Sequence, residues 1–471
     1  MRDIVGRVQE KEKLKQIFES DKSEFVAVYG RRRVGKTFLI REYFDNNFSF
    51  YITGIKDATV KEQLINFQIA FQKSFKVEKS IPNNWQEAFF NLISCLESSN
   101  EVKKVIFIDE LPWLASAKSN FLNALNFFWN HWASARTDII LIICGSAASW
   151  MINKIVKNTG GLHNRITERI KIKPFTLQET ELFLKHKNIV FNRHQIVELY
   201  MIFGGVPYYL ETLRKGKSVA QNIDESCFNK DGILHDEFQN LYASLFKNYE
   251  NHVQVISILS KKNSGLSRGS ILNELNILDG GSFTKILEEL EESGFIRKYK
   301  YYGKIKNSVF YQLVDFYSLF YFNFLKNNSQ ENYWTSNIDN PKHRSWSGYS
   351  FELVCLIHEN QIKKALGIHG VQTSVSSWRS KNKIQNNAQI DLLFERRDQI
   401  ITICEMKYSL NKFTIDKNYA QSLRNKIEVF REEGKTKYAI HLAMITTYGL
   451  VENENYYDLV QNNITMESLF E

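Results

Sequence analysis

The stretch Tyr29-Gly30-Arg31-Arg32-Arg33-Val34-Gly35-Lys36-Thr37 constrains this chain more than any other. It has the form G-x-x-x-x-G-K-[ST], the pattern of a loop that wraps phosphate. The apolar run Phe25-Val26-Ala27-Val28 precedes it as a buried strand, and Thr37-Phe38-Leu39-Ile40-Arg41-Glu42-Tyr43-Phe44 follows as a helix. A strand, a tight loop and a helix in that order build a parallel α/β sheet. The N–H groups at the helix start then point at an anion, and the helix dipole adds to the attraction. Gly30 and Gly35 let the backbone approach the ligand closely. The expected cofactor set is therefore ATP and Mg²⁺, held by Gly30, Arg31, Arg32, Arg33, Val34, Gly35, Lys36, Thr37 and Phe38. Lys36 would reach the β- and γ-phosphates, and the Thr37 hydroxyl would bind Mg²⁺.

A chain of 471 residues, 43% of them hydrophobic, has enough apolar side chain for two to four packed domains and is not a disordered polymer. A net charge of +9 favours an anionic partner, nucleic acid first. The five cysteines are scattered with no C-x-x-C, which points to a reducing compartment. The N-terminus shows no signal-peptide apolar segment, and the longest apolar run, residues 139–144, is too short to span a bilayer. The expectation is a cytoplasmic protein without a membrane segment.

Further along, Val105-Ile106-Phe107-Ile108-Asp109-Glu110 is a buried strand ending in two carboxylates, a Walker B pattern. Such a strand delivers its last residues to the carboxyl edge of the sheet, where ligands bind. Asp109 is expected to hold Mg²⁺, and Glu110 to orient and deprotonate the attacking water. Residues 139–144 form another buried strand ending at Gly145-Ser146. Ser146 suits contact with the γ-phosphate or the lytic water, and it suits a plain helix cap as well. Arg165 or Arg169, before a fifth strand at residues 170–172, is a candidate arginine finger, acting in cis or from a neighbouring subunit. A surface arginine is the other reading. Ahead of the first strand, Val5 belongs to a segment that could cover the adenine or simply pack on the sheet. Five alternating strands and helices give a doubly wound parallel-sheet ATPase core over residues 1–175, of the AAA+-like kind, followed by a helical lid over residues 176–245.

These residues together resemble a known family. Val5-Gly6-Arg7, the loop at residues 29–37 with its three arginines, Phe107-Ile108-Asp109-Glu110, Cys144-Gly145-Ser146, Pro174-Phe175 and Gly204-Gly205-Val206-Pro207 are similar to archaeal-type ATPases, relatives of the STAND branch of AAA+-like proteins. The resemblance implies a winged helix and a C-terminal nuclease-like domain beyond the ATPase.

The middle of the chain fits the first of these. Helices are expected at residues 253–259, after a Ser267 cap, and from Ser282. A hairpin at residues 294–296 and 309–313 would carry Lys298, Lys300, Lys304 and Lys306 near its turn. That is a winged-helix layout over residues 246–326. Glu288, Glu289, Glu291 and Glu292 on the third helix would repel phosphate, so the basic wing is the expected DNA contact, through the backbone rather than the bases. A protein-packing module is the competing reading.

Residues 327–347, rich in Asn, Ser and Asp, read as a linker. The remaining residues, 348–471, begin with a helix at residues 349–365 that bears Glu352. Two strands follow, at residues 389–394 and 400–407, with a turn between them. A hairpin centred on Asp398 sets Asp391 opposite Glu405, with Lys407 on the same face. Facing carboxylates repel unless a cation lies between them, so Asp391 and Glu405 are the expected metal ligands. Glu352 would add a third oxygen and Lys407 would orient water or steady the phosphate. Lys417 and Gln421 on the next helix could assist, and a solvated helix face explains them as well. The order E…D-x13-E-x-K looks like the active site of the PD-(D/E)xK nuclease fold.

The combined expectation is an α/β multidomain protein: a P-loop ATPase fused to a restriction-endonuclease-like domain and acting on DNA as a metal-dependent endonuclease, with ATP state gating DNA binding or cleavage. A homo-oligomer or a protein partner is admitted. The alternative is a nucleotide-switched scaffold or signalling ATPase whose nuclease fold only binds DNA or protein.

Overall fold

A computed structural model describes residues 3–156, 164–303, 309–328, 330–338, 340–380 and 388–471. Chain contacts divide it into two units, Met1–Pro174 and Phe175–Glu471.

Five short, β-branched runs form the parallel sheet of the first unit: β1 (Glu24–Tyr29), β2 (Phe50–Thr53), β3 (Lys104–Asp109), β4 (Ile139–Gly145) and β5 (Glu168–Lys171). Their order is β2-β3-β4-β1-β5, so β4 separates the strand before the P-loop from the strand that ends in Asp109. Side chains alternate between two apolar layers, as the two-residue strand period requires. Phe25, Ala27, Ile106, Ile108, Leu141 and Ile143 join one layer, and Val26, Val28, Val105, Phe107, Ile140 and Ile142 the other. Burial on both faces explains why the three central strands, β3, β4 and β1, are almost continuously apolar, whereas the edge strand β5 buries only Ile170. The Val8–Glu19 helix docks through Leu14 and Ile17.

In the second unit, Thr176 and Glu179 form a reciprocal capping box on the Leu177–His186 helix, worth about 1 kcal/mol. The Arg193–Phe203 helix follows and ends at Gly204 and Gly205. Gly205 has a φ of +67°, and a Cβ there would meet the Phe175 carbonyl oxygen at 2.1 Å, so no other residue fits. Next come the helices Tyr249–Leu259, Arg268–Leu275 and Gly281–Glu292, with Ser267 capping the second through the Ser270 N–H. They accompany an antiparallel sheet of β6 (Leu266–Ser267), β7 (Ile296–Lys300) and β8 (Val309–Leu313), in the order β6-β8-β7.

The last sheet contains β9 (Thr373–Arg379), β10 (Gln389–Arg396), β11 (Ile400–Lys407), β12 (Ala439–Thr446) and β13 (Asn462–Thr465). Its order is β13-β12-β11-β10-β9, antiparallel on the β9 side and parallel on the β13 side. The Lys417–Gly434 helix covers it, burying Ala420, Leu423, Val429 and Phe430. The small sheet joins this one: Tyr301 bridges to Ser377, and the Tyr302 N–H donates to the Ser377 carbonyl at 2.8 Å.

The linker expected at residues 327–347 is not one. The Tyr333–Ser336 turn of helix and the Pro341–Ile357 helix occupy most of its described part. Buried Asp224 accepts the Trp334 N–H at 2.8 Å and the Thr335 N–H at 2.9 Å, and Trp334 and Trp346 pack with Phe320 and Phe324. Composition misled here: the polar residues are helix caps and surface positions around two buried tryptophans. The helix expected from residue 349 thus starts at Pro341, a favoured first position, and breaks at His358 before a second helix, Glu359–Ala365.

Candidate functional sites: the P-loop and an acidic cluster on the C-terminal sheet

At the end of β1 the chain turns through Gly30, whose φ is +150° and whose Cβ would lie 2.2 Å from the Ile172 carbonyl oxygen. Arg33 and Gly35 also take positive φ, so the loop curls before the Lys36–Tyr43 helix begins. Lys36 is buried, and its ammonium donates to the Arg31 carbonyl at 2.9 Å across the loop. Burial lowers its pKa, with the nearby Glu110 and Asp109 opposing that shift.

Two hydroxyl–carboxylate pairs complete the site. Thr37 Oγ1 donates to Asp109 Oδ2 at 2.8 Å. Ser146 Oγ donates to Glu110 Oε2 at 2.8 Å, supported by the Ser146 N–H at 3.2 Å. Glu110 is in the left-handed region at φ 46°, and its own N–H donates to Asp109 Oδ1 at 2.9 Å, so the two carboxylates diverge from one strand end. The juxtaposed Thr37 hydroxyl and Asp109 carboxylate supply the hard oxygen donors that Mg²⁺ takes. The loop's converging N–H groups and Lys36 suit a polyphosphate.

Sequence reasoning gave Arg7 no role of its own. Its guanidinium is buried and donates to the Val34 carbonyl at 3.0 Å, bracing the loop from the N-terminal segment. Val5 is half-buried, Arg32 and Arg33 are partly exposed, and Phe38 is 40% exposed. Arg165 and Arg169 are both exposed, and Arg169 donates to the Val156 carbonyl at 3.5 Å.

The second site is assembled from distant residues. The β10–β11 ladder pairs Leu392 with Cys404 and Leu393 with Ile403, so one further step sets Asp391 against Glu405. On its other side β10 slips register against β9 between Ile390 and Leu393, a bulge that falls on Asp391. Bulges re-aim side chains, and no residue-type signal announces this one. Gln389 Nε2 donates to Asp391 Oδ1. Glu352 reaches the same region from the Pro341–Ile357 helix. Burial, then the Asp391 charge, raises the Glu352 carboxyl well above the usual range, and burial likewise raises Asp391.

Glu405 behaves differently. Burial opposes its ionisation, yet Lys426 and Lys407 outweigh burial and hold its carboxyl below the usual value. Lys426 Nζ lies 2.6 Å from Oε2, Tyr419 OH donates to Oε1 at 2.7 Å, and Lys407 Nζ is 3.2 Å from Oε1. Lys417 and Gln421, the helix residues singled out beforehand, are exposed and point elsewhere. The signal for the right pair was present. Tyr419 and Lys426 flank Leu423 at positions −4 and +3, on the apolar face of the helix. Among the described residues no group of three His, Cys, Asp or Glu is spaced to hold a metal ion.

In the middle module, Glu289 accepts from the His252 ring at 2.8 Å, so one of the four glutamates expected to repel phosphate is engaged internally. Lys298 and Lys300 are exposed, and Lys304 and Lys306 lie outside the described residues. No described helix is long and apolar enough to cross a membrane.

Residues 4–213 match the family model of an ATPase domain predominantly from Archaea. An uncharacterized protein of Methanocaldococcus jannaschii is 28% identical over 303 residues, 63% of this chain and 62% of that protein. The chain therefore spans less than two thirds of the curated relative it matches. Among solved structures, a Walker-type ATPase of Pyrococcus abyssi aligns with a TM-score of 0.50 at 18% identity, covering 68% of this chain and 96% of that one, a likeness of fold. The parallel sheet, the P-loop and the family match agree: residues 4–213 of this chain are similar to an ATPase domain predominantly from Archaea and contain the parallel sheet and phosphate-binding loop of a P-loop ATPase.

Proposed function

We propose that the chain binds and hydrolyses ATP at the P-loop and that its C-terminal unit is a Mg²⁺-dependent DNA endonuclease whose access or activity follows the nucleotide state. Lys36 leaves the Arg31 carbonyl for the β- and γ-phosphates of ATP. Thr37 and Asp109 would hold Mg²⁺, which would supply positive charge to offset the charge that develops on the phosphates. Glu110, held by Ser146, turns to accept a proton from the attacking water. Arg165 is the candidate finger, and a homo-oligomer is needed if it acts in trans. Residues 176–245 serve as the lid, residues 246–326 as a winged helix and residues 348–471 as the nuclease-like domain.

The nuclease reading is carried by one observation. Glu352, Asp391, Glu405 and Lys407, dispersed in sequence, share one electrostatic neighbourhood at a sheet edge. Carboxyl groups crowded in a recessed place repel one another when ionised, and a divalent cation would remove that repulsion. Asp391 and Glu405 would hold it, with Glu352 as a further oxygen, and it would polarise the scissile phosphate. Lys407 steadies the charge that develops there.

A second reading has its own support. Glu405 is already neutralised by Lys426, and the described acids lack ready metal spacing, which favours a nucleotide-switched scaffold whose nuclease fold only binds DNA or protein. Incubating supercoiled plasmid with Mg²⁺ or Mn²⁺, with and without ATP, separates the two. Nicking by wild type that drops at least about 100-fold in Glu405→Ala supports the nuclease. DNA binding and ATP turnover without nicking support the scaffold.

A further inference from the structure

We propose that Arg297 and Arg379 form an anion-binding site that takes a backbone phosphate of DNA beside the acidic cluster. The inference rests on the DNA-binding part of the reading above, and on neither a bound metal nor cleavage. It joins a residue of the middle module, on β7, to one of the C-terminal sheet, on β9.

The two guanidiniums are held around one turn. Arg297 Nε donates to Gln312 Oε1 at 2.6 Å, and Gln312 Nε2 donates to the Asn263 carbonyl at 2.6 Å. The Arg297 guanidinium also lies over the Tyr299 ring, 4.7 Å from its centre, and Tyr299 OH donates to the Ser264 carbonyl. Arg379 Nη1 reaches Ser264 Oγ at 3.4 Å. Gly265 pins that turn: its φ is +68°, and a Cβ there would lie 2.5 Å from the Tyr311 carbonyl oxygen. Both arginines are half-buried. Yet among the described residues neither has a carboxylate at ion-pair distance, and the Arg379 Nε–H is buried with no hydrogen-bond partner. A guanidinium that is recessed, held in place and without an anion is costly unless a ligand brings the anion.

Placement selects DNA as the source of that anion. β9 pairs with β10 so that Arg379 stands opposite Gln389, and directly opposed residues share a face. Gln389 Nε2 donates to Asp391 Oδ1, so Arg379, Gln389 and Asp391 lie on one face of the sheet. The backbone positions of Arg379 and Asp391 are then less than about 10 Å apart. The acidic cluster by itself repels a polyanion. Fixed guanidiniums next to it offset that repulsion, and their paired N–H groups match the oxygens of a phosphate. Lys261 and Lys262, exposed in the turn that contains Ser264, extend the positive charge outward, which serves a long polyanion rather than a single phosphate.

The test is binding of a fluorescent DNA duplex to the full, nucleotide-free chain, read by anisotropy over a range of salt, in EDTA so that no cleavage intervenes. Wild type, Arg297→Gln, Arg379→Gln and Arg379→Lys are compared. Each glutamine variant is expected to bind about tenfold more weakly, to the same extent on duplexes of unrelated sequence, and to lower the slope of log affinity against log salt by about 1. Arg379→Lys keeps the charge and should keep the wild-type slope. Weaker binding with an unchanged slope in the glutamine variants marks a structural role and overturns the proposal. Unchanged affinity overturns it as well; a phosphorus resonance of inorganic phosphate that wild type broadens and the variants do not then gives the arginines to free phosphate. Both results leave DNA binding elsewhere on the chain standing, whereas a wild type that binds no duplex overturns the DNA reading and the proposal together. Circular dichroism checks the fold of each variant, and Arg297→Met and Arg379→Met carry the same expectations if a glutamine variant does not fold.

Discussion

The two candidate sites solve the problem of a charged ligand in opposite ways. In the P-loop site each charged group rests on a neutral one: N–H groups at a helix start, a lysine resting on a carbonyl, and two carboxylates each held by a hydroxyl. The C-terminal site is made of ionisable side chains, three carboxyl groups against Lys407 and Lys426. The first can receive a polyanion and its metal with little rearrangement, because hydroxyls and carbonyls give way at small cost. In the second, Glu405 is already engaged in an ion pair with Lys426 in a recessed place. Preorganisation against self-neutralisation is the contrast, and it predicts different sensitivities.

The largest effect is expected from Lys36→Ala. Losing the one buried ammonium in the loop should lower ATP turnover by about 1,000-fold while thermal unfolding changes little. Unchanged turnover in that variant would remove the claim that this loop is the hydrolytic site.

Acid should also separate the two units. In the second unit, His358 is buried: its Nε2 accepts the Leu177 N–H at 3.1 Å, so Nδ1 carries the proton and donates to the Val354 carbonyl at 2.8 Å. Burial lowers its pKa from the usual 6.5 to about 4. The unfolded chain therefore binds the proton first. Stability is full above pH 6.5 and declines by about 3 kcal/mol as pH falls to about 4. In the first unit, the hydrogen bond from Arg136 holds Asp138 far below the usual carboxylate range, so its contribution persists until much stronger acid. Urea unfolding of wild type and His358→Gln between pH 7 and 4 checks this. Glutamine can still accept from Leu177 but does not titrate, so its transition should flatten; parallel profiles would count against the brace.

The smallest effect belongs to the middle module. Lys300 is exposed on β7, and Lys300→Glu should weaken binding of a DNA duplex by less than about tenfold and make it less salt-dependent. No change in salt slope would move DNA recognition away from this strand.

The unit boundary adds a further contrast. The family match runs to residue 213, whereas the contact division falls at Pro174. The helices after Phe175 thus belong by sequence to the ATPase domain and by packing to the C-terminal half. His358 under the Leu177 N–H and Tyr200 OH on the Phe175 carbonyl at 2.8 Å are among the contacts that hold them there.

What the sequence determined by itself was local. The P-loop is nine consecutive residues whose path follows from two glycines and a helix start, and the buried strands are legible as continuous β-branched runs. The β10–β11 register also followed from the sequence, because a short turn fixes pairing through a two-residue period. Only the tertiary structure decided which groups meet from far apart. It put Lys426 and Tyr419 on Glu405, tied Ser146 to Glu110, inserted Arg7 under Val34, and turned a polar stretch into helices around Trp334 and Trp346. The physical reason is that periodicity states which face of an element is buried but not what lies against it. A charged residue on such a face acquires its role from a partner that packing alone supplies.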